Sequence, residues 1–127
     1  MIHAIEVRTM LAPHPTSVGV ARRFVRDVLM TRQVADGVVS TVELLTSEVV
    51  TNAILHARSG PQLAVEVDET VVRVAIRDVS PELPVRQLSR LDEVSGRGVV
   101  IVDELASAWG VERERDGGKR VWFEVAC

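Results

Sequence analysis

The sequence predicts an α/β (α+β) two-layer sandwich, a mixed, mostly antiparallel sheet covered on one face by helices. Two pairs of alternating apolar runs read as hairpins, and helical patterns precede and separate them. At 127 residues, with 46% hydrophobic and 26% charged side chains, the chain has the size and composition of one ordinary globular domain, 1–127.

The opening run Ala4–Met10 suits a short strand, and Pro13 and Pro15 then interrupt the chain. Thr16 or Ser17 can cap a helix to about Met30, with Ala21, Phe24, Val25 and Val28 at helical spacing on its apolar side. Ser40 with Glu43 reads as a capping box that opens a second helix ending near His56 or Ala57. Val42, Leu45, Val49 and Ala53 form its stripe, and Leu44, Val50, Ile54 and Leu55 spread apolar character further round, the pattern of a buried helix.

Ser59, Gly60 and Pro61 stop that helix. Leu63, Val65 and Val67, then Val72, Val74 and Ile76, alternate with smaller or polar residues about a turn at Glu69–Thr70, which predicts an antiparallel hairpin. From Val79 to about Ser95 periodicity lapses around Pro81 and Pro84, and so long a loop in a small domain is usually functional. Gly98 to about Ser107 reads as a short helix. Trp109–Arg115 and Arg120–Ala126 flank the turn Asp116-Gly117-Gly118-Lys119, a second hairpin.

Several functions are set aside by composition. The net charge of −3 supplies no basic field for a phosphate backbone, and two Trp and two Phe make a poor stacking platform, so no direct nucleic-acid binding is expected. No signal-peptide pattern opens the chain and no long uncharged apolar stretch suggests a membrane span, so a cytoplasmic protein is expected. The single cysteine, Cys127, rules out an internal disulfide and suits a reducing compartment. Lys119 is the sole lysine among the basic residues.

Glu48, Asn52 and His56 follow at i, i+4 steps, each advancing about 40° around the helix, so they spiral along one side beside the Leu45/Val49 stripe. A carboxylate and an amide beside a core need polar partners. An internal hydrogen bond or ion pair satisfies that need. So does a metal–phosphate site, where the amide oxygen suits Mg²⁺ and the carboxylate can take a proton from an attacking hydroxyl. His56 alone fits a helix-closing role. Asp78, at a strand end, reads as a turn former or as an acceptor for the exocyclic amine of a base, and Ser80 beyond it suits either. Gly96-Arg97-Gly98 before Val99 is either a hinge or a backbone cradle for an anion at a helix start. It is neither a Walker A loop nor a dinucleotide fingerprint.

In order along the chain, Glu48-Val-Val-Thr-Asn52-Ala-Ile-Leu-His56-Ala57 resembles the N box of the gyrase/Hsp90/histidine-kinase/MutL (GHKL) ATPase superfamily. Asp78-Val-Ser-Pro81 is similar to its first glycine box, and Gly96-Arg97-Gly98-Val-Val-Ile-Val to its second. The closing segment from Trp109 through Gly117-Gly118-Lys-Arg-Val-Trp122-Phe resembles the last hairpin of the short anti-sigma-factor serine-kinase branch. The likeness runs from about Pro15 to Val125.

This resemblance implies a Bergerat-type fold binding ATP and Mg²⁺. It implies Asn52 as the Mg²⁺ ligand, Glu48 as the general base toward a serine hydroxyl, and Asp78 as the acceptor for the adenine amino group. It also implies that Gly96 and Gly98 face the phosphates beneath a lid over about Glu82–Ser95, with His56, Ser80, Arg97 and Val99 also at the cofactor. Members of this branch hold a sigma factor as a homodimer and phosphorylate an anti-anti-sigma (STAS-domain) partner, which points to Arg22 and Arg23 as partner-binding residues. The helix that carries Phe24 and Val25 can contribute a dimer seam. The first box has Ser80 where glycine is usual, and Arg120 stands where the last strand often carries the threonine that positions water near adenine. The implied function is an anti-sigma factor and serine protein kinase. The alternative is a non-catalytic or weakly ATP-hydrolysing module that sequesters a regulatory protein.

Overall fold

A computed structural model describes residues 4–56, 60–78, 96–115 and 117–127. The elements run β1 (Ile5–Met10), α1 (Ser17–Thr31), α2 (Asp36–His56), β2 (Gln62–Val67), β3 (Val71–Asp78), α3 (Gly96–Leu105), β4 (Ala108–Arg113) and β5 (Lys119–Ala126). The five strands lie in the order β1-β2-β3-β5-β4, and every described pairing is antiparallel. The chain forms the two-layer α+β sandwich its alternating runs predict.

Strand alternation sets the two faces of the sheet. Leu63, Val65 and Val67 on β2, Val72, Val74 and Ile76 on β3, and Val121, Phe123 and Val125 on β5 are buried beneath the helices. The opposite face carries charge. There Arg73 donates through Nε to Glu124 at 2.7 Å and lies over the Trp122 ring at 5.2 Å from its centroid. Arg77 pairs with Glu114 at 3.4 Å and Arg120 with Glu112 at 3.6 Å. A shallow depression of about 330 Å³ on this face is lined by Arg8, Arg73, Arg77 and Arg120 among others.

The turn joining β2 to β3 is held by one carboxylate. Asp68 accepts from the backbone N–H groups of Thr70 at 2.8 Å and Val71 at 2.9 Å, and these bonds push its carboxyl below the usual range. Gly117, in the second hairpin, has φ +90°, the backbone that the glycine pair predicts.

Helix starts differ from expectation. Neither Thr16 nor Ser17 caps α1 through its side chain. The Ser17 hydroxyl instead donates back to the Ala12 carbonyl at 2.7 Å, and Thr16 meets His14 at 2.9 Å. The Ser40–Glu43 pair does not open α2, which begins at Asp36, with the Ala35 carbonyl accepting from both Val38 and Val39. Val39 is 4% exposed, and its burial favours the extra turn. Glu43 is recruited across the helix pair, 2.7 Å from Arg26 Nε.

By length and composition α2 could cross a bilayer. In this fold its apolar side lies instead on β3 and β5, with Val42, Leu45 and Val50 fully buried. Helix α1 packs on α2 and β2, and α3 packs along α2 and against β4. Between α3 and β4, Trp109 Nε1 donates to Asp103 at 3.0 Å. Val25 is likewise fully buried, so it cannot form a dimer seam, and Phe24 packs against the core.

Candidate functional site

Glu48 and Asn52 are half-buried on the flank of α2, between the stripe pressed on the sheet and the solvent side marked by exposed Leu44, Thr51 and Leu55. This is the border position that their i, i+4 spacing predicts. The Glu48 carboxylate makes no hydrogen bond or ion pair among the described residues, so it is available. Two residues before Glu48, Thr46 is fully buried and its hydroxyl has no hydrogen-bond partner among the described residues. His56 is the last helical residue of α2.

Chain connectivity brings the sheet's polar end toward that half of the helix. Residues 57–61 join α2 to β2, and a link that short spans at most about 20 Å. It delivers Gln62 opposite Arg77, the neighbour of Asp78. The link is tied to the N-terminal segment where Leu11 N–H donates to the Pro61 carbonyl at 2.9 Å. Gly60 is required beside it, because a Cβ there would stand 1.7 Å from the Leu11 carbonyl oxygen.

Asp78 closes β3 on the core-facing side, in parity with Val72, Val74 and Ile76, and is only 1% exposed. Directly opposite, at the start of β5, is Lys119, 4% exposed. Burial pushes the Lys119 ammonium below its ordinary range, and the Asp78 carboxylate partly restores it. Arg120 does not occupy this position. The pleat turns it to the opposite face, beside Glu112, so the basic residue in register with Asp78 is Lys119. The missed residue had a sequence signal: it shares the i, i+2 parity of Val121, Phe123 and Val125.

Gly96, Arg97, Gly98 and Val99 form the first turn of α3, which starts two residues earlier than Gly98. The glycines therefore belong to the helix start itself, where backbone N–H groups lack helical partners and favour anions. Ser80 and the expected lid over about Glu82–Ser95 lie outside the described residues. On α1, Arg22 and Arg23 are exposed and, with Gly19, Arg26 and Glu43, line a hollow of about 190 Å³.

The donor set has a definite chemistry. An amide oxygen, a carboxylate, a buried acid at a strand end and a helix N-terminus suit a polyphosphate with one hard cation, since Mg²⁺ commonly takes few protein ligands and completes its shell with phosphates and water. Among the described residues no group of three or more His, Cys, Asp or Glu converges to cage an ion without such help.

The sequence model of the histidine kinase-like ATPase domain matches residues 11–125. The chain belongs to that family. Membership implies nucleotide binding, and the match covers every described site residue. No curated protein matches the chain. Among solved structures, the fold is similar to a chain in the crystal structure of the SiaB–SiaC complex from Pseudomonas aeruginosa, with a TM-score of 0.58 at 12% identity. The alignment covers 95% of this ATPase domain and 89% of that chain, a likeness of fold.

Proposed function

We propose that this ATPase domain is a cytoplasmic anti-sigma factor and serine protein kinase that uses Mg²⁺-ATP to phosphorylate a serine of an anti-anti-sigma (STAS-domain) partner. The observation that carries the reading is the pairing of an available, half-buried Glu48 with Asn52 one turn on, both on the flank of the helix that covers β3 and β5. The family match supports nucleotide binding. Similarity to a protein solved in a two-protein complex supports a protein partner.

In this reading Asn52 presents its amide oxygen to Mg²⁺, and Asp78 accepts from the base. The α3 N-terminus, with Gly96 and Gly98, faces the phosphates, and His56, Ser80, Arg97 and Val99 border the same ligand. Bound Mg²⁺ supplies charge neutralisation at the phosphates. Glu48 takes the proton of the serine hydroxyl as the serine oxygen bonds to the γ-phosphorus and the bond from that phosphorus to the ADP oxygen breaks. Arg22 and Arg23, exposed on α1, hold the sigma factor or the STAS protein. A homodimer would use other surface than Val25, and exposed Val20 and Met30 on α1 are the apolar residues available there.

A second reading is a module that sequesters a partner with little or no transfer. The first box favours it, because Ser80 stands there where glycine is usual. Incubating the purified chain with γ-labelled ATP, Mg²⁺ and a STAS-domain protein recovered with it separates the two. Label on a STAS serine is the expected result. Nucleotide binding with no label on the partner would replace the kinase with the sequestering module.

A further inference from the structure

The only lysine of the chain is buried at the one place where the core-facing side of the sheet carries an acid. Asp78 and Lys119 are opposed across β3 and β5, at 1% and 4% exposure, while the residues preceding Asp78 and following Lys119 on that face, Ile76 and Val121, are apolar. Withdrawing an ammonium from water is costly, and apolar residues of similar size often replace a buried pair without loss of stability. A ligand that uses both charges gives the pair a purpose that stability does not.

The geometry points to Lys119 as a base-reading residue that, with Asp78, admits a 6-oxopurine nucleotide such as GTP to the site. The inference rests on the nucleotide reading and specifies its base. A carboxylate alone accepts from N–H groups and repels a carbonyl oxygen, so it selects against guanine's O6. A lysine amine on the residue in register with it offsets that repulsion and donates to O6. Asp78 then accepts from guanine N1–H and the N2 amino group, giving up to three hydrogen bonds. The edge of adenine offers two, its N6 amino group to Asp78 and its N1 to Lys119. Where one side chain supplies the acceptor and the other the donor, guanine is bound at least as well as adenine. Arginine could not substitute simply, since its wide planar fork needs more room than a single amine.

The test is competition against a fluorescent ATP analogue on the full chain with Mg²⁺, using ATP and GTP as the competitors. The expected result is displacement by GTP at concentrations no higher than ATP requires. Lys119→Met should weaken GTP by about tenfold or more relative to ATP, because guanine O6 is then left facing an uncompensated carboxylate whereas adenine keeps its N6 bond to Asp78. Circular dichroism establishes whether that variant folds; if it does not, the wild-type comparison decides. ATP competing while GTP does not would overturn the Lys119 assignment and leave the nucleotide reading standing. Equal weakening of both nucleotides by Lys119→Met would overturn it too, reducing Lys119 to a structural charge. Failure of the analogue, ATP and GTP alike to bind would end both readings together.

Discussion

Asp78 and Lys119 face one another across β3 and β5, an acid and a base removed almost completely from water at one end of the core-facing side of the sheet. Their pairing gives the ATPase domain a feature that can be followed by titration.

Lys119 is a base whose folded-state affinity for protons is lowered, mainly by burial. Between its depressed folded pKa and the unfolded value of 10.5, the unfolded chain binds more protons, so stability rises with pH there. The chain has no tyrosine and no other lysine, which leaves Cys127, its thiol pushed up by burial, as the other side chain titrating in that alkaline range. In a Cys127→Ser background, urea midpoints of the Lys119 protein should climb relative to Lys119→Met as pH approaches 10.5. A pH-independent difference between the two would refute the shift.

Glu48 and Asn52 should separate binding from transfer. Glu48→Gln keeps the size of the side chain and removes the base, so phosphate transfer should fall about 10²- to 10⁴-fold with nucleotide affinity nearly unchanged. Asn52→Ala should lose the Mg²⁺-dependent part of nucleotide binding. Isothermal titration with and without Mg²⁺, beside the transfer assay, reads both. Undiminished transfer by Glu48→Gln would remove Glu48 from its role.

Gly60→Ala should destabilise the domain by about 1–3 kcal/mol, the usual range for forced overpacking. The added Cβ has backbone, the Leu11 carbonyl, for its neighbour at 1.7 Å, and backbone cannot swing aside as a long side chain can. Denaturant unfolding measures the change. An unchanged midpoint would show that the link between α2 and β2 relaxes freely.

Phe123→Ala should cost about 3–5 kcal/mol, through lost burial and the cavity left behind. Phe123 is among the largest fully buried side chains and stands between Val74 on β3 and Trp109 on β4 in register. By contrast, Arg26→Ala should cost no more than about 1 kcal/mol, because the Arg26 side chain is 56% exposed and its pair with Glu43 is largely screened by solvent.

Much of this was legible in the residues. Alternation in Leu63–Val67 and Val72–Ile76 specified a hairpin, and the i, i+4 spacing of Glu48 and Asn52 placed both on the border of a buried helix. Periodicity is written locally, so it survives in one dimension. Helix starts were less legible: Ser40–Glu43 has the form of a capping box, but Val39 burial and the Ala35 carbonyl extend α2 back to Asp36. The parity that places Asp78 on the core-facing side also places Lys119 there and turns Arg120 to the opposite face.

By itself the sequence determined the elements, their amphipathic faces and the ordered boxes that mark the ATPase family, because each depends on residues within a few positions of one another. Only the tertiary structure decided that Lys119, not Arg120, is the base opposite Asp78, and that Val25 is core. Both outcomes depend on strand register and helix docking, which are set by contacts between residues tens of positions apart.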